Sequence, residues 1–351
     1  MIAYGVASTV SLVRGEGVVV KTATTNRQFA KEPHDIRREC RILSHLSHPT
    51  IITLLAFEDD DASHTLQLHV PYIPFDLESL LNLAAFTPSG WPHFPRVAAS
   101  LMYQLLLGIS YLHNEKIAHR DIKPSNVLLT TSGCIKLIDF GVSYTSKPDP
   151  RDIWPEPESR KYFEVSTGPY RAPELLFGSR TYNPYAIDLW SLGVLFAEFF
   201  TPVIVQDDGE DEAHNAPPAE QSLMRKPLFE GTRGEIALIW SIFRTMGTPT
   251  EETWPGYESL PGASRMRFNV VPGTPLRGIL PNLPEDNAEP LVDLIQSLLR
   301  YPPDTRLAAK DACNHPAFAK GVLLPSEISG SGTELGDLLK DMLDHESDRS
   351  L

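Results

Sequence analysis

His119-Arg120-Asp121-Ile122-Lys123-Pro124-Ser125-Asn126 is followed by two short apolar runs, Val127 to Leu129 and Ile135 to Ile138, which flank the turn signal Thr130 to Gly133. The pattern predicts a small β-hairpin whose exit delivers Asp139-Phe140-Gly141. Both polar stretches then sit on loops held by a helical scaffold. Val97, Leu101, Leu105, Gly108 and Leu112 mark one long helix before them, and Ala186 to Phe200 is apolar nearly all round, which predicts a buried helix after them.

Residues 1–72 carry β-rich runs at Val18 to Lys21 and Leu66 to Val70, interrupted by one helical stretch around Asp35 to Leu46. In that stretch Ile36, Cys40 and Leu43 fall at i, i+4 and i+7, so Glu39 lies beside the apolar stripe and points toward the sheet. The pattern is that of an α+β chain with a small β-rich lobe over 1–72, bearing one main helix, and a larger, mainly helical lobe over 73–320. Asp207 to Gln221, with Asp207, Asp208, Glu210, Asp211 and Glu212 and a Pro-Pro pair, reads as a solvated, flexible insert at about 205–222. Residues 321–351, Ser/Gly-rich and then weakly amphipathic from Leu335 to Leu343, read as a flexible tail.

With 351 residues and 42% hydrophobic side chains the chain can bury substantial cores. A formal charge of -14 leaves no broad basic field for nucleic acid or anionic lipid, and a peptide partner with basic residues fits better. Cys40, Cys134 and Cys313 match neither metal-ligand spacing nor a disulfide framework, and are expected as buried thiols in a reducing compartment. No run approaches the roughly 18 apolar residues of a membrane span, and no signal core follows the first residues. A soluble intracellular monomer, cytoplasmic, nuclear or both, is expected.

Together with Ala172-Pro173-Glu174 downstream, the two opening motifs resemble the eukaryotic protein kinase family over residues 2 to about 320. The resemblance implies the bilobal kinase fold, ATP and Mg²⁺ as cosubstrate and cofactor, and a role for each motif residue. Asp121 would orient the acceptor hydroxyl, Lys123 would neutralise the transferred group, and Asn126 and Asp139 would hold Mg²⁺. Lys21 would grip the phosphates and pair with Glu39. A strand lysine taken alone is more often an exposed edge charge; Glu39 and the downstream motifs reverse that reading. Val10, Val19, Val70, Pro71, Ile73 and Leu128 would surround adenine, with Val70 as gatekeeper and Pro71 needing only to accept a hydrogen bond. Asp76 would stand near the ribose or cap the helix that begins at Leu77.

The family's glycine-rich pattern aligns with Ala3-Tyr4-Gly5-Val6-Ala7-Ser8-Thr9-Val10 and keeps only Gly5 and Val10 of its marked positions. Ala3 and Ser8 carry Cβ atoms that restrict close approach to phosphate, so nucleotide should be held less tightly or by an altered loop. Val19 replaces the usual small residue and would tighten the adenine slot.

Tyr170-Arg171 before Ala172, the stretch Gly234 to Pro255 within an insert over about 225–285, and Arg306, expected to pair with Glu174, resemble the CMGC, cyclin-dependent-kinase-like branch. Tyr162 stands where such kinases carry their activating threonine. Arg38 and Arg120 match two members of the phosphate-binding arginine cluster, and Tyr144 takes the place of the third. The long activation segment carries Asp149, Asp152, Glu156 and Glu158: either it is a solvated loop, or one of its acidic residues meets Arg38 or Arg120 and stands in for phosphate. The helix around Pro33 to Arg41 lacks the sequence presented to cyclins, so no cyclin partner is expected. These departures resemble the fungal single-subunit kinases that activate cyclin-dependent kinases, which implies a Ser/Thr acceptor in a protein substrate, with the activation-loop threonine of a cyclin-dependent kinase as one candidate. A pseudokinase scaffold and a cyclin-dependent or mitogen-activated kinase relative with other substrates are the alternatives.

Overall fold

The computed structural model describes residues 3–4, 7–13, 15–205 and 223–347. The acidic insert expected at 205–222 lies almost wholly outside the described residues. The small lobe is an antiparallel sheet of β1 (Ala3–Tyr4), β2 (Thr9–Val13), β3 (Val18–Thr24), β4 (Ala56–Asp60) and β5 (Thr65–Pro71), ordered β1-β2-β3-β5-β4. Its helix, α1 (Ile36–Leu43), begins where the Asp35 carboxylate accepts the Arg38 N–H at 3.0 Å. It ends at Leu43, three residues short of the expected Leu46, and the hydroxyl of the C-cap Ser44 donates to the Cys40 carbonyl. Ile36 and Cys40 pack on Leu66 and Leu68 of β5, which turns Glu39 inward as its periodicity requires.

The larger lobe runs through β6 (Phe75–Asp76), α2 (Leu77–Asn82), α3 (Phe94–Asn114), β7 (Ile117–Ala118), β8 (Val127–Leu129), β9 (Ile135–Leu137) and β10 (Tyr144–Thr145). It continues through α4 (Pro173–Leu176), α5 (Pro184–Glu198), the ribbon β11 (Val203–Val205) and β12 (Leu223–Arg225), α6 (Glu235–Met246), α7 (Leu276–Ile279), α8 (Ala288–Leu298) and α9 (Ala309–Ala312). α5 is buried along almost its whole length and forms the axis of the lobe. α3 approaches so closely that a Cβ at Gly108 would stand 2.6 Å from the Thr50 hydroxyl. β8 and β9 pair as the predicted hairpin, with Val127 opposite Leu137. Arg306 donates two hydrogen bonds to Glu174, at 2.7 and 2.8 Å, and fixes the segment after the activation loop to the core. Cys40 and Cys134 are buried; Cys313, expected buried, is half-exposed. Among the described residues no helix is long and apolar enough to cross a membrane.

The C-terminal tail departs from its expectation. Through residue 347 it forms α10 (Ser326–Ser329) and α11 (Glu334–Ser347), and Leu335 and Leu339 are fully buried. α11 lies on the β8–β9 turn: a Cβ at Gly133 would strike Leu335 at 2.6 Å, and one at Gly336 would strike the Thr131 carbonyl at 2.7 Å. Arg96 donates to Glu334 at 2.8 Å and closes the contact. The polar flank hid two leucines at i and i+4, whose burial stabilises docking by roughly 1.5–3 kcal/mol each.

Candidate active site

The hairpin and the loop before it are positioned by α5. The Asp188 carboxylate accepts the His119 and Arg120 backbone N–H groups at 2.8 and 2.7 Å, and His119 Nε2 lies 2.9 Å from the Ile138 carbonyl. Arg120 and Asp139 adopt φ of 65°, a left-handed conformation that costs a non-glycine residue about 1–3 kcal/mol and persists only where the surroundings over-determine it. The buried loop therefore points Asp121 and Asp139 into one cleft.

That cleft, about 600 Å³ in volume, lies between the lobes. Val10, Val19, Lys21 and Glu39 from the small lobe, Val70, Pro71 and Ile73 from the connecting strand, and Asp121, Lys123, Asn126, Leu128 and Asp139 from below all line it. Val19 and Val70 are direct cross-strand partners, so two equal valines, roof and gatekeeper, stand side by side. Gly5 lies outside the described residues. Asp76 does not line the cleft; its carboxylate accepts the Ser79 N–H at 2.8 Å and caps α2.

Lys21 Nζ donates to both Glu39 oxygens, at 2.8 and 2.7 Å, and to Asp139 Oδ1 at 2.8 Å. Burial opposes the Lys21 charge, yet Asp139 and Glu39 outweigh it and hold its pKa above the ordinary lysine value. Burial likewise opposes the Asp139 charge, and Lys21 overcomes it, keeping the carboxyl well below the usual carboxylate range. Asn126 donates Nδ2 to Asp121, which leaves its carbonyl oxygen free of protein donors among the described residues, as is Asp139 Oδ2. Two hard oxygens facing one cleft fit a Mg²⁺ ion. Asp121 Oδ1 accepts from the Thr167 hydroxyl at 2.7 Å, and Lys123 Nζ lies 2.8 Å from the same hydroxyl and 3.0 Å from Asp121. Thr167 was not singled out in the sequence; its place three residues before Tyr170-Arg171 was the available signal.

The activation segment is held by its own carboxylates. Arg120, fully buried, donates to both oxygens of Glu156 at 2.7 Å. Arg38 lies 3.8 Å from Glu156 and donates to Asp152 at 3.3 Å, and Arg41 donates to both Asp152 oxygens at 2.9 and 2.8 Å. Tyr144 offers its ring face to Arg120. Two carboxylates thus occupy the arginine cluster, as the charge pattern predicted for one. Between them Ile153 and Trp154 join the Ile36, Cys40, Leu66 and Leu68 cluster, and the Asp35 carboxylate accepts the Trp154 N–H at 2.9 Å. The Tyr162 hydroxyl donates to Glu32 at 2.5 Å.

A paired lysine and glutamate, an aspartate and lysine on a buried loop, and two free oxygens on a hairpin define a phosphotransferase cleft. The family described as "Protein kinase domain" matches residues 3–318. Cell division control protein 2 homolog 3 of Trypanosoma brucei brucei is 34% identical over 321 residues, covering 90% of this chain and 88% of the relative. Cyclin-dependent kinase 2 of Caenorhabditis elegans is 34% identical over 327 residues, covering 92% and 75%. A chain of the crystal structure of the yeast RNA Pol II CTD kinase CTDK-1 complex superposes with a TM-score of 0.63 at 26% identity, over 88% of this chain and 87% of that one. The chain belongs to the protein kinase family. Within it, the chain falls in the CMGC, cyclin-dependent-kinase-like branch.

Proposed function

We propose that this protein is a serine/threonine kinase that transfers the γ-phosphate of ATP to the activation-loop threonine of a cyclin-dependent kinase, and that it does so without a cyclin and without prior phosphorylation. The observation that carries the reading is the two-armed contact of Arg120 with Glu156, which puts permanent negative charge where phosphate would be bound. A kinase needing no upstream kinase is suited to act upstream of others. Independence from cyclin rests on Ile153 and Trp154, which cover α1 from within the chain. Against it stand the relatives' names, since they are cyclin-dependent kinases, and the neighbour's membership of a complex.

In the reaction the acceptor hydroxyl attacks the γ-phosphorus, the bond to the β–γ bridging oxygen breaks, and ADP leaves. Asp121, held by Thr167 and Asn126, orients the hydroxyl and accepts its proton. Lys123 stands beside Asp121 to offset charge on the transferred group, and Lys21, fixed by Glu39, positions the phosphates. When bound at Asn126 and Asp139, Mg²⁺ supplies neutralisation of phosphate charge.

Incubation with a monomeric cyclin-dependent kinase and with its activation-loop Thr→Ala form tests the substrate. Labelling of the former alone is expected; equal labelling of both, or of neither, would refute it. The neighbour's name supplies a second reading, a kinase acting on the RNA Pol II CTD, which labelling of that substrate in preference to the cyclin-dependent kinase would favour.

A further inference from the structure

We infer that Lys31 and His34, on the connection between β3 and α1, contact the terminal phosphates of ATP and take over part of the work that glycine-loop backbone does in this family. The inference rests on the reading of the cleft as an ATP site. The positions that align with the family's glycine-rich loop carry Ala3 and Ser8, whose Cβ atoms restrict the approach of backbone to phosphate, and Ala7 and Ser8 line the cleft. Something else must meet a strongly anionic chain there.

The cations already placed in the site are committed. Lys21 is shared between Glu39 and Asp139, and Lys123 between Asp121 and Thr167. Two lysines therefore face three carboxylates before any phosphate enters. Lys31 and His34 line the same cleft, and among the described residues neither side chain has a hydrogen-bonding or ion-pair partner. They are brought there by the backbone: the Asp35 N–H donates to the Gly141 carbonyl at 2.8 Å, and the His34 N–H donates to the Lys31 carbonyl at 2.8 Å, which folds the connection down onto Gly141. A Cβ built on Gly141 would lie 3.8 Å from His34 Nδ1 and 3.5 Å from both Asp139 Oδ1 and Glu39 Oε2, so the imidazole stands at the same end of the cleft as the phosphate-directed carboxylate. The His34 imidazole, unpaired at the Asp139 end, and the exposed Lys31 ammonium lining the same cleft are donors awaiting acceptors.

Binding of adenosine, AMP and ATP to the full chain with Mg²⁺, measured by calorimetry, tests this with Lys31→Ala, His34→Ala and the double variant. Loss of a charge-assisted contact weakens binding roughly ten-fold. The double variant should bind ATP roughly ten- to hundred-fold more weakly while its adenosine affinity stays within about two-fold of wild type. Unchanged ATP affinity overturns the inference, and so does an equal fall for adenosine, which would assign these residues to the cleft as a whole. Wild-type protein that binds adenosine at least as tightly as ATP, or binds neither, would instead overturn the reading of the cleft as an ATP site.

Discussion

Replacing Glu156 by Ala strips the carboxylate from a cluster in which Arg120 and Arg38 are both fully buried. Arg120 would keep the Val142 carbonyl and the Tyr182 hydroxyl as acceptors but lose both charged hydrogen bonds, and the Tyr162 N–H would lose its acceptor at 2.7 Å. Removing one partner of a buried ion pair costs about 3–5 kcal/mol, because the remaining charge stays desolvated. Asp152 still tethers Arg38 and Arg41, so the cost falls on the activation segment rather than on the whole fold. A shift of about 3 kcal/mol in the ordering of that segment corresponds to roughly a hundred-fold fall in its ordered-to-disordered ratio. Peptide phosphorylation by Glu156→Ala should drop, by at most about that factor, with hydrogen exchange accelerated around residues 152–165 and the Lys21 site still binding nucleotide. Glu156→Gln keeps an acceptor and should fall between wild type and Ala. Full activity with unaltered exchange protection in Glu156→Ala would refute the argument that this carboxylate replaces phosphate.

Burial pushes the Glu198 carboxyl from its ordinary 4.5 up to about 7, while the Tyr170 hydroxyl donates to it at 2.5 Å. A raised folded pKa means the native state holds the proton more tightly, so this contribution is complete below about pH 4.5 and is lost as pH climbs toward 7. Glu198→Gln should flatten the stability profile between pH 5 and pH 8 by about 2–3 kcal/mol, read by denaturant unfolding at each pH. An unchanged slope would remove Glu198 as its source. Leu339→Ala opens a cavity under α11 and should destabilise the protein by about 2–5 kcal/mol; a truncation after residue 320 that melts at the wild-type temperature would show that the tail does not brace the hairpin.

What the sequence made legible was the chemistry fixed by short spacing. Asp121, Lys123 and Asn126 lie within six residues, and Asp139 follows one hairpin later, so the polypeptide itself brings them to one edge. Lys21 and Glu39 were legible because strand and helix stripe each have a period that orients the side chain, although β3 runs on past Lys21 to Thr24. Partner choice across the fold was less so. Glu156 and Asp152 lie among several acidic residues on an irregular segment, and only packing of Ile153 and Trp154 against α1 selects which of them turns inward. Asp76 could serve two roles by sequence, and the Ser79 N–H takes it for the cap. Lys31 and His34 carry no periodic signal at all; they reach the cleft because one backbone hydrogen bond pins Asp35 to Gly141.

With Glu156 held by Arg120, the proposed function requires catalytic readiness to be built into the chain, without a cyclin or an upstream kinase. Protein made in bacteria, phosphatase-treated and shown by intact mass to carry no phosphate, should transfer label from γ-labelled ATP to a protein or peptide substrate at once and without added partner, and Asp139→Ala should not. Silence of the phosphate-free wild type, relieved only by a partner or by phosphorylation of its activation segment, would contradict the account.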